Sequence, residues 1–300
     1  MRKVALIAKG NSNKAKKFFQ NLSINENFKN INFEIAFTQK ARDAYFLSEK
    51  FANLKYDYVI ACGGDGTSFE VLNGILKSDY PLTGFGILPI GSANDFARAQ
   101  KLSKSFNNLC LSIEKEKIKS IDVGKIELQK NGELWYFLNV CDVGFGPEVV
   151  KKVNSKRHIL PPDLSFLWAI TKTLFSYKAK SISIEINNKT LAGKTLVGAF
   201  ANSSCFGGGI YIAPDAKIDD GQLNFTRIGD VSMLDYLLQI GKLKKKQFVK
   251  HPEISYQKTK SVRLNSNEKV GIEADGEYVG ELPCTVKIKP KLLKFLDTST

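Results

Sequence analysis

Over the first 120 or so residues the hydrophobic period switches back and forth, and this alternation constrains the fold more than any other feature of the chain. "KVALIA", "INFEIAF", "YDYVIAC" and "GFGILPI" are short, largely apolar runs of the kind that form buried strands. Between them, "NKAKKFFQNLSI", "ARDAYFLSEKFANL" and the segment after Thr67 carry helical patterns. Strands alternating with helices predict a parallel sheet with crossover helices. From about residue 121 the texture changes. "SIDVGKIEL", "LWYFLNVCDVGF", "SISIEIN", "KTLVGAFANSS", "GQLNFTRIG", "ISYQKTKSVRLN", "EKVGIEADG" and "PCTVKIKP" are short, rich in β-branched and aromatic residues, and bounded by Gly, Asn and Asp. They predict an antiparallel sandwich or barrel-like domain, interrupted by helices near 164–178 and 232–247. The expected division is an α/β domain over 1–120 and a mainly β domain over 121–287, with a tail from about 288 to 300 packing back onto the first.

Composition narrows the chemistry. With 44 Lys and Arg against 30 Asp and Glu, the chain carries a formal charge of +14, which favours anionic partners such as nucleotides or an anionic lipid surface. A lysine-rich bias of the whole proteome would give the same excess. The five cysteines, Cys62, Cys110, Cys141, Cys205 and Cys284, are scattered without metal-ligand spacing and read as buried free thiols of a reducing cytoplasm. Two histidines, His158 and His251, each beside basic residues, argue against a His-centred triad or a zinc site. No apolar run approaches the ~20 residues of a membrane span, so a soluble protein, at most resting on a membrane, is expected.

"YVIACGGDGTSFEVLNGIL" reads as strand, glycine turn and helix. Glycines at 63, 64 and 66 allow positive φ and close approach of a ligand to the main chain, and the N–H groups at a helix start suit a phosphate. Asp65 would repel that phosphate unless a divalent cation lies between them. Thr67 is placed either to cap the helix or to donate its hydroxyl to a nucleotide. Alone, such a turn is as readily an ordinary strand-to-helix connection. A second loop of the same kind changes the balance: "FGILPIGSANDFAR" ends another strand with Ser92, Asn94 and Asp95 as polar contacts, and loops at the carboxyl ends of parallel strands line one crevice.

"GGDGT" with Glu70 and the "NG" at 73–74, "LPIGSANDFAR", "IDVGKI", "FLNVCDVGFGPEVV", "GGGIYIAPDAKIDDGQL" and "EADGE" resemble, in order and over nearly the whole chain, the soluble diacylglycerol kinase catalytic-domain family. The bacterial, two-domain YegS-like branch is the best match. The resemblance implies a Rossmann-like (phosphofructokinase-like) N-terminal domain and a C-terminal antiparallel β-sandwich. It implies an ATP- and Mg²⁺-dependent lipid kinase with the nucleotide on the GGDGT loop in an interdomain cleft. Gly63, Gly64, Asp65, Gly66, Thr67, Glu70 and Ser92 become ATP contacts, with Asn94 beside them. So does Thr38, which the family places before Gly-Asp-Ala; here Arg42 stands in place of that glycine. The family's Asn-Pro and Gly-rich first loop is replaced by "AKGNSNKAKK", where Gly10, Asn11 and Lys14 are the phosphate-facing candidates.

Glu273, Asp275 and Glu277 lie on a strand and its turn, and strand alternation would put all three on one face. In phosphoryl transfer a carboxylate can accept the acceptor hydroxyl's proton. The resemblance assigns that role to the "DGE" element, leaving Asp275 and Glu277 unseparated. It also implies a structural Mg²⁺ site in the "APDAKIDDGQL" loop, formed by Lys217, Asp220 and Gln222. "LPPDLSFLWAITKTLFSYKAK" carries Leu164, Leu167, Trp168, Ile170, Leu174 and Phe175 at helical spacing, a stripe that is either core or a cover over an acyl chain. "GKLKKKQFVKHP" mixes lysines with Leu and Phe, either a solvated face or one that rests on anionic membrane. A lipid with a free hydroxyl, no specific nucleic acid, a homodimer and a cytoplasmic, peripherally membrane-bound location complete the expectation. An NAD kinase, which shares the GGDGT turn, and a nonenzymatic nucleic-acid or other anion binder are the alternatives.

Overall fold

The computed structural model describes residues 1–20, 28–156 and 162–299. The chain forms two compact units, one of residues 1–121 and 291–300, the other of residues 122–290.

In the first unit, β1 (Arg2–Lys9) pairs in parallel with β2 (Ile31–Thr38) and β3 (Tyr58–Gly63), and β3 with β4 (Gly84–Pro89). The last strand of the chain, β16 (Cys284–Leu296), adds Phe295 beside Phe85 of β4. Every residue of β3 and β4 is buried, as strands covered on both faces require. On one face Val4, Leu6, Ile60, Cys62 and Leu88 pack against Ala15 of α1 (Asn13–Gln20) and against Phe106, Leu109 and Ile113 of α5 (Phe106–Glu114). Two further helices are α2 (Asp43–Asn53) and α3 (Asp65–Leu76), which cross closely because position 74 has no side chain. A Cβ at Gly74 would lie 2.0 Å from Ser48 Oγ and 2.2 Å from the Tyr45 carbonyl oxygen.

The second unit is built on antiparallel sheets. One has the order β12-β11-β10-β7-β14-β15: Ile254–Thr259, Leu223–Ile228, Val197–Ala201, Val140–Gly144, Gly271–Ala274 and Glu277–Glu281. Phe200 and Phe225, cross-strand partners in β10 and β11, stack with centroids 4.8 Å apart. In the other sheet the first part of β16 pairs with β13 (Ser261–Asn265), β13 with β8 (Lys180–Ile186), and β8 with β9 (Lys189–Thr195), while β5 (Ile118–Leu128) pairs with β6 (Leu134–Phe137). The architecture is the α/β plus β-sandwich arrangement expected. Two of its helices, α7 (Pro162–Ser176) and α8 (Met233–Lys244), fall where the pattern placed them. A third, α6 (Phe145–Lys156), follows the strand-like run "LWYFLNVCDVGF" and is not among the helices expected. Val149, Val150 and Val153 favour strand locally, but Pro147 in the first turn starts a helix, and Val149 packs into the core below it. All five cysteines are buried free thiols. Among the described residues, no helix is long and apolar enough to cross a membrane.

Candidate active site

In the first unit the glycine loop after β3 and the one after β4 lie main chain against main chain. The Gly91 N–H donates to the Gly63 carbonyl at 3.0 Å, and a Cβ at Gly91 would stand 2.4 Å from Gly64 Cα. At Gly63 a Cβ would meet Thr67 Oγ1 at 2.5 Å. These glycines therefore serve close approach. None of Gly63, Gly64 or Gly66 adopts positive φ, contrary to the expectation from their flexibility; that conformation falls to Asn94, at φ 52°. Thr67 is also not the helix cap: α3 begins at Asp65 with Gly64 at the N-cap, so the Thr67 hydroxyl sits inside the first turn. Helix geometry leaves the first-turn N–H groups without intrahelical acceptors.

The main-chain N–H groups of Asp95 and Phe96, at the start of α4 (Asp95–Ala99), favour the ionised form of the Asp65 carboxyl. Burial, and then the charge of Asp95, push that carboxyl above the usual range, and the N–H donors offset this only in part. Asp95 is 5% exposed and pairs with Arg98 at 3.3 Å. Asn94 donates through Nδ2 to the Gly91 carbonyl at 2.9 Å, while its buried Oδ1 has no hydrogen-bond partner among the described residues. Two crowded acids and an orphaned acceptor fit a hard cation, which would relieve the repulsion and take an oxygen ligand. Among the described residues no three His, Cys, Asp or Glu side chains converge as a metal cluster, so such a cation would share its ligands with phosphate oxygens. Ser92 is exposed beside these groups.

Glu70 and Thr38 shape the neighbouring loops of the same unit. Glu70 accepts the N–H of Arg42 and that of Ala44, both at 3.1 Å, and so caps α2 from the side of α3. Arg42 has φ 67°, the left-handed conformation glycine adopts without strain. Arg42 thus takes a conformation open to glycine, and its guanidinium lies over the Tyr45 and Phe46 rings. The Thr38 carbonyl accepts the Gly10 N–H at 3.0 Å, which joins the first loop to the second. Asn11 and Lys14 of that first loop are exposed.

In the second unit Asp275 and Gly276, at φ 50° and 85°, form the two-residue turn between β14 and β15. That turn breaks the strand alternation, so Glu273, Asp275 and Glu277 do not share one face. The Asp275 carboxylate turns onto the main chain, accepting the N–H groups of Leu138 at 2.8 Å, Asn139 at 2.9 Å and Val140 at 3.1 Å. Glu277, half-buried, opposes Ala274. Glu273 is buried and opposes Asp142 of β7. Sequence reasoning passed over Asp142; its one signal is a lone carboxylate within the apolar run "NVCDVGF".

The loop before β11 offers the oxygen donors expected of a cation site, but Asp220 is already engaged. Its Oδ1 accepts the Gln222 N–H at 3.1 Å and its Oδ2 lies 3.1 Å from Lys258 Nζ. Asp122, 0% exposed, accepts the Gly221 N–H at 2.6 Å and holds the loop from beneath. Carbonyl oxygens of Lys217 and Gln222 with the Asp220 carboxylate are donors of the type Mg²⁺ takes, with Lys258 as a built-in competitor for the carboxylate. The Mg²⁺-dependent rise in melting temperature is therefore expected to be larger for Lys258→Met than for the parent protein. Equal rises would show that Asp220 is not a ligand.

Of the apolar stripe in α7, Trp168, Ile170 and Leu174 pack onto the core of the second unit, whereas Phe175 is 75% exposed. Leu164 and Leu167 lie outside the described side chains.

Residues 3–126 match the diacylglycerol kinase catalytic domain, and residues 139–297, more than half of the chain, match the YegS C-terminal NAD kinase beta sandwich-like domain. A diacylglycerol kinase of Staphylococcus haemolyticus is 28% identical over 248 residues, covering 82% of this chain and 72% of that one. The diacylglycerol kinase of Bacillus subtilis is 28% identical over 251 residues, covering 82% and 79%. A solved structure from Bacillus anthracis str. Sterne superposes with a TM-score of 0.77 at 24% identity, over 99% of this chain and 97% of that one. These matches define a phosphotransferase class. The chain belongs to the YegS-like branch of the diacylglycerol kinase family.

Proposed function

We propose that this protein is an ATP-dependent lipid kinase that transfers the γ-phosphoryl group to the hydroxyl of diacylglycerol or a related lipid. The observation that carries the reading is Asp65, a strained carboxylate fixed where two glycine loops meet, in a chain of this family. The first-turn N–H groups of α3 and the loop from Gly91 to Asn94 hold the phosphates, and Asp65 with Asn94 Oδ1 would hold Mg²⁺. When bound, that ion neutralises charge on the phosphate oxygens. Glu70 and Thr38 keep the adjoining loops in place. Glu277 accepts the proton of the lipid hydroxyl; Asp275, whose oxygens are taken by three main-chain donors, fixes the turn that carries it.

Turnover of ATP against a lipid panel tests this. ADP release that depends on a hydroxyl-bearing lipid, with label appearing in that lipid, is the expected result. Phosphorylation of NAD without any lipid-dependent turnover would replace the reading with its nearest rival.

The same reading brings the enzyme to a lipid surface. Lys242, Lys244, Lys245, Lys246 and Lys250 are exposed, and Phe248 is 49% exposed, while Leu243 and Val249 anchor the segment in the core. Each basic residue near an anionic surface contributes roughly 1 kcal/mol. Reversing Lys244, Lys245 and Lys246 to Glu should cut co-sedimentation with phosphatidylglycerol vesicles at least about tenfold. Binding that ignores both this change and added salt would count against the surface.

A further inference from the structure

The second unit contains a buried acid pair that the chemistry above leaves unused. Asp142 of β7 and Glu273 of β14 stand directly opposite each other, 1% and 3% exposed. Opposed residues bring their Cβ atoms to about 4.5–5.5 Å, so two carboxyl groups occupy one dry site. Glu273 Oε2 accepts the Gly276 N–H at 2.8 Å, which pins the turn between Asp275 and Glu277. Asp142 Oδ1 is buried with no hydrogen-bond partner among the described residues. Gly146 in α6 makes the room, since a Cβ there would lie 2.1 Å from Asp142 Oδ2.

The groups facing the pair do not neutralise it. Asp275 and Glu277 approach from the turn and β15 and add negative charge. On α6, Lys151 bonds Glu148 at 2.9 Å and Lys152 bonds Ser176 at 3.0 Å. Tyr177, after α7, presents a buried hydroxyl without a partner among the described residues. Two carboxylates in such a site do not both ionise; they hold a proton in common.

We propose that Asp142 and Glu273 share one proton as an O–H···O bond between β7 and β14, and that this bridged pair positions the turn carrying Glu277. The bond supplies the partner that Asp142 Oδ1 lacks and leaves Glu273 Oε2 on Gly276. Burial holds the Asp142 carboxyl up at about 8 and Glu273 well above the ordinary carboxylate range. Both folded values are raised, so the pair's contribution to stability falls as pH rises and is lost through about pH 8 and above. There the proton passes to hydroxide, and two buried anions repel each other beneath the turn. The positioning role rests on the lipid-kinase reading; the shared proton does not.

Infrared spectra in ¹H₂O and ²H₂O, thermal melts and kcat, each followed from neutral to alkaline pH, test the pair in the wild type, Asp142→Asn and Glu273→Gln. The expected wild-type result is a protonated-carboxyl band at neutral pH that fades with alkali as the melting temperature drops. Either amide variant keeps one donor and one acceptor, so both should fold, lack the band and lose most of that alkaline drop. Their ratio of kcat at about pH 9 to that at neutral pH should exceed the wild-type ratio severalfold. A band that persists in both variants, an unchanged alkaline limb in melts and kcat, or failure of both variants to fold would overturn the shared proton. If no lipid is phosphorylated, the band and the melts still decide the pair, and only the kinase reading falls.

Discussion

Asp65→Asn should lose about a thousandfold in kcat while melting no lower than the parent at neutral pH; a loss of that size corresponds to about 4 kcal/mol of transition-state stabilisation. The two halves of this expectation come from one observation. The Asp65 carboxyl is held above its ordinary range first by burial and then by Asp95, so its ionised form is strained in the unliganded fold. An acid with a raised folded value binds its proton more tightly folded than unfolded. Stability from this group is full at low pH and declines as pH climbs from the ordinary carboxylate range through the raised value. At neutral pH the charge therefore costs folding stability. Asparagine removes the charge and keeps one carbonyl oxygen for the N–H groups of Asp95 and Phe96. Melts across this window should show a flatter pH dependence for the variant. Turnover at the parental rate would sink the kinase reading, whereas a lower melting temperature together with lost turnover would make Asp65 a structural tie between loops.

The parallel sheet could be read from sequence because its inner strands, β1, β3 and β4, are short buried apolar runs that alternate with helical patterns, while β2 keeps its apolar run although Ile35 and Phe37 are exposed. Helix α6 could not. Val149, Val150 and Val153 carry strand preference, and what overrides it is packing against the second unit's core, which no local window contains. The strand, glycine turn and helix expected over residues 58–76 are present, as β3 and α3, but the glycines there serve a different physical need. Backbone freedom is not used at Gly63, Gly64 or Gly66. What those residues and Gly91 provide is the missing Cβ that lets two loops touch, and that contact exists only once β3 and β4 are neighbours. Asp142 shows the limit most plainly. It reads as a stray charge until the register sets it opposite Glu273. Likewise, Lys258 meets Asp220 only through the pairing of β11 with β12. Cross-strand partners distant in the chain leave no periodic trace.

Glu277→Gln should lower kcat by about 10² to 10³ with an unchanged KM for ATP and an unchanged melting temperature, the loss expected when a positioned proton acceptor becomes an amide. Glu277 is half-buried on β15, opposite the small Ala274, so the isosteric amide disturbs little packing. Asp275→Asn should also lose turnover, by a different route. The carboxylate serves three main-chain N–H groups through both of its oxygens. An amide has one acceptor oxygen and turns its NH₂ toward a donor, leaving at least one buried N–H unsatisfied at about 1–3 kcal/mol. A clear fall in melting temperature should therefore accompany Asp275→Asn and be absent from Glu277→Gln. The separation matters because both residues sit in one short motif, and loss of turnover alone would not distinguish them. An active Glu277→Gln beside an inactive, fully stable Asp275→Asn would reverse the assignment and make the turn residue the proton acceptor.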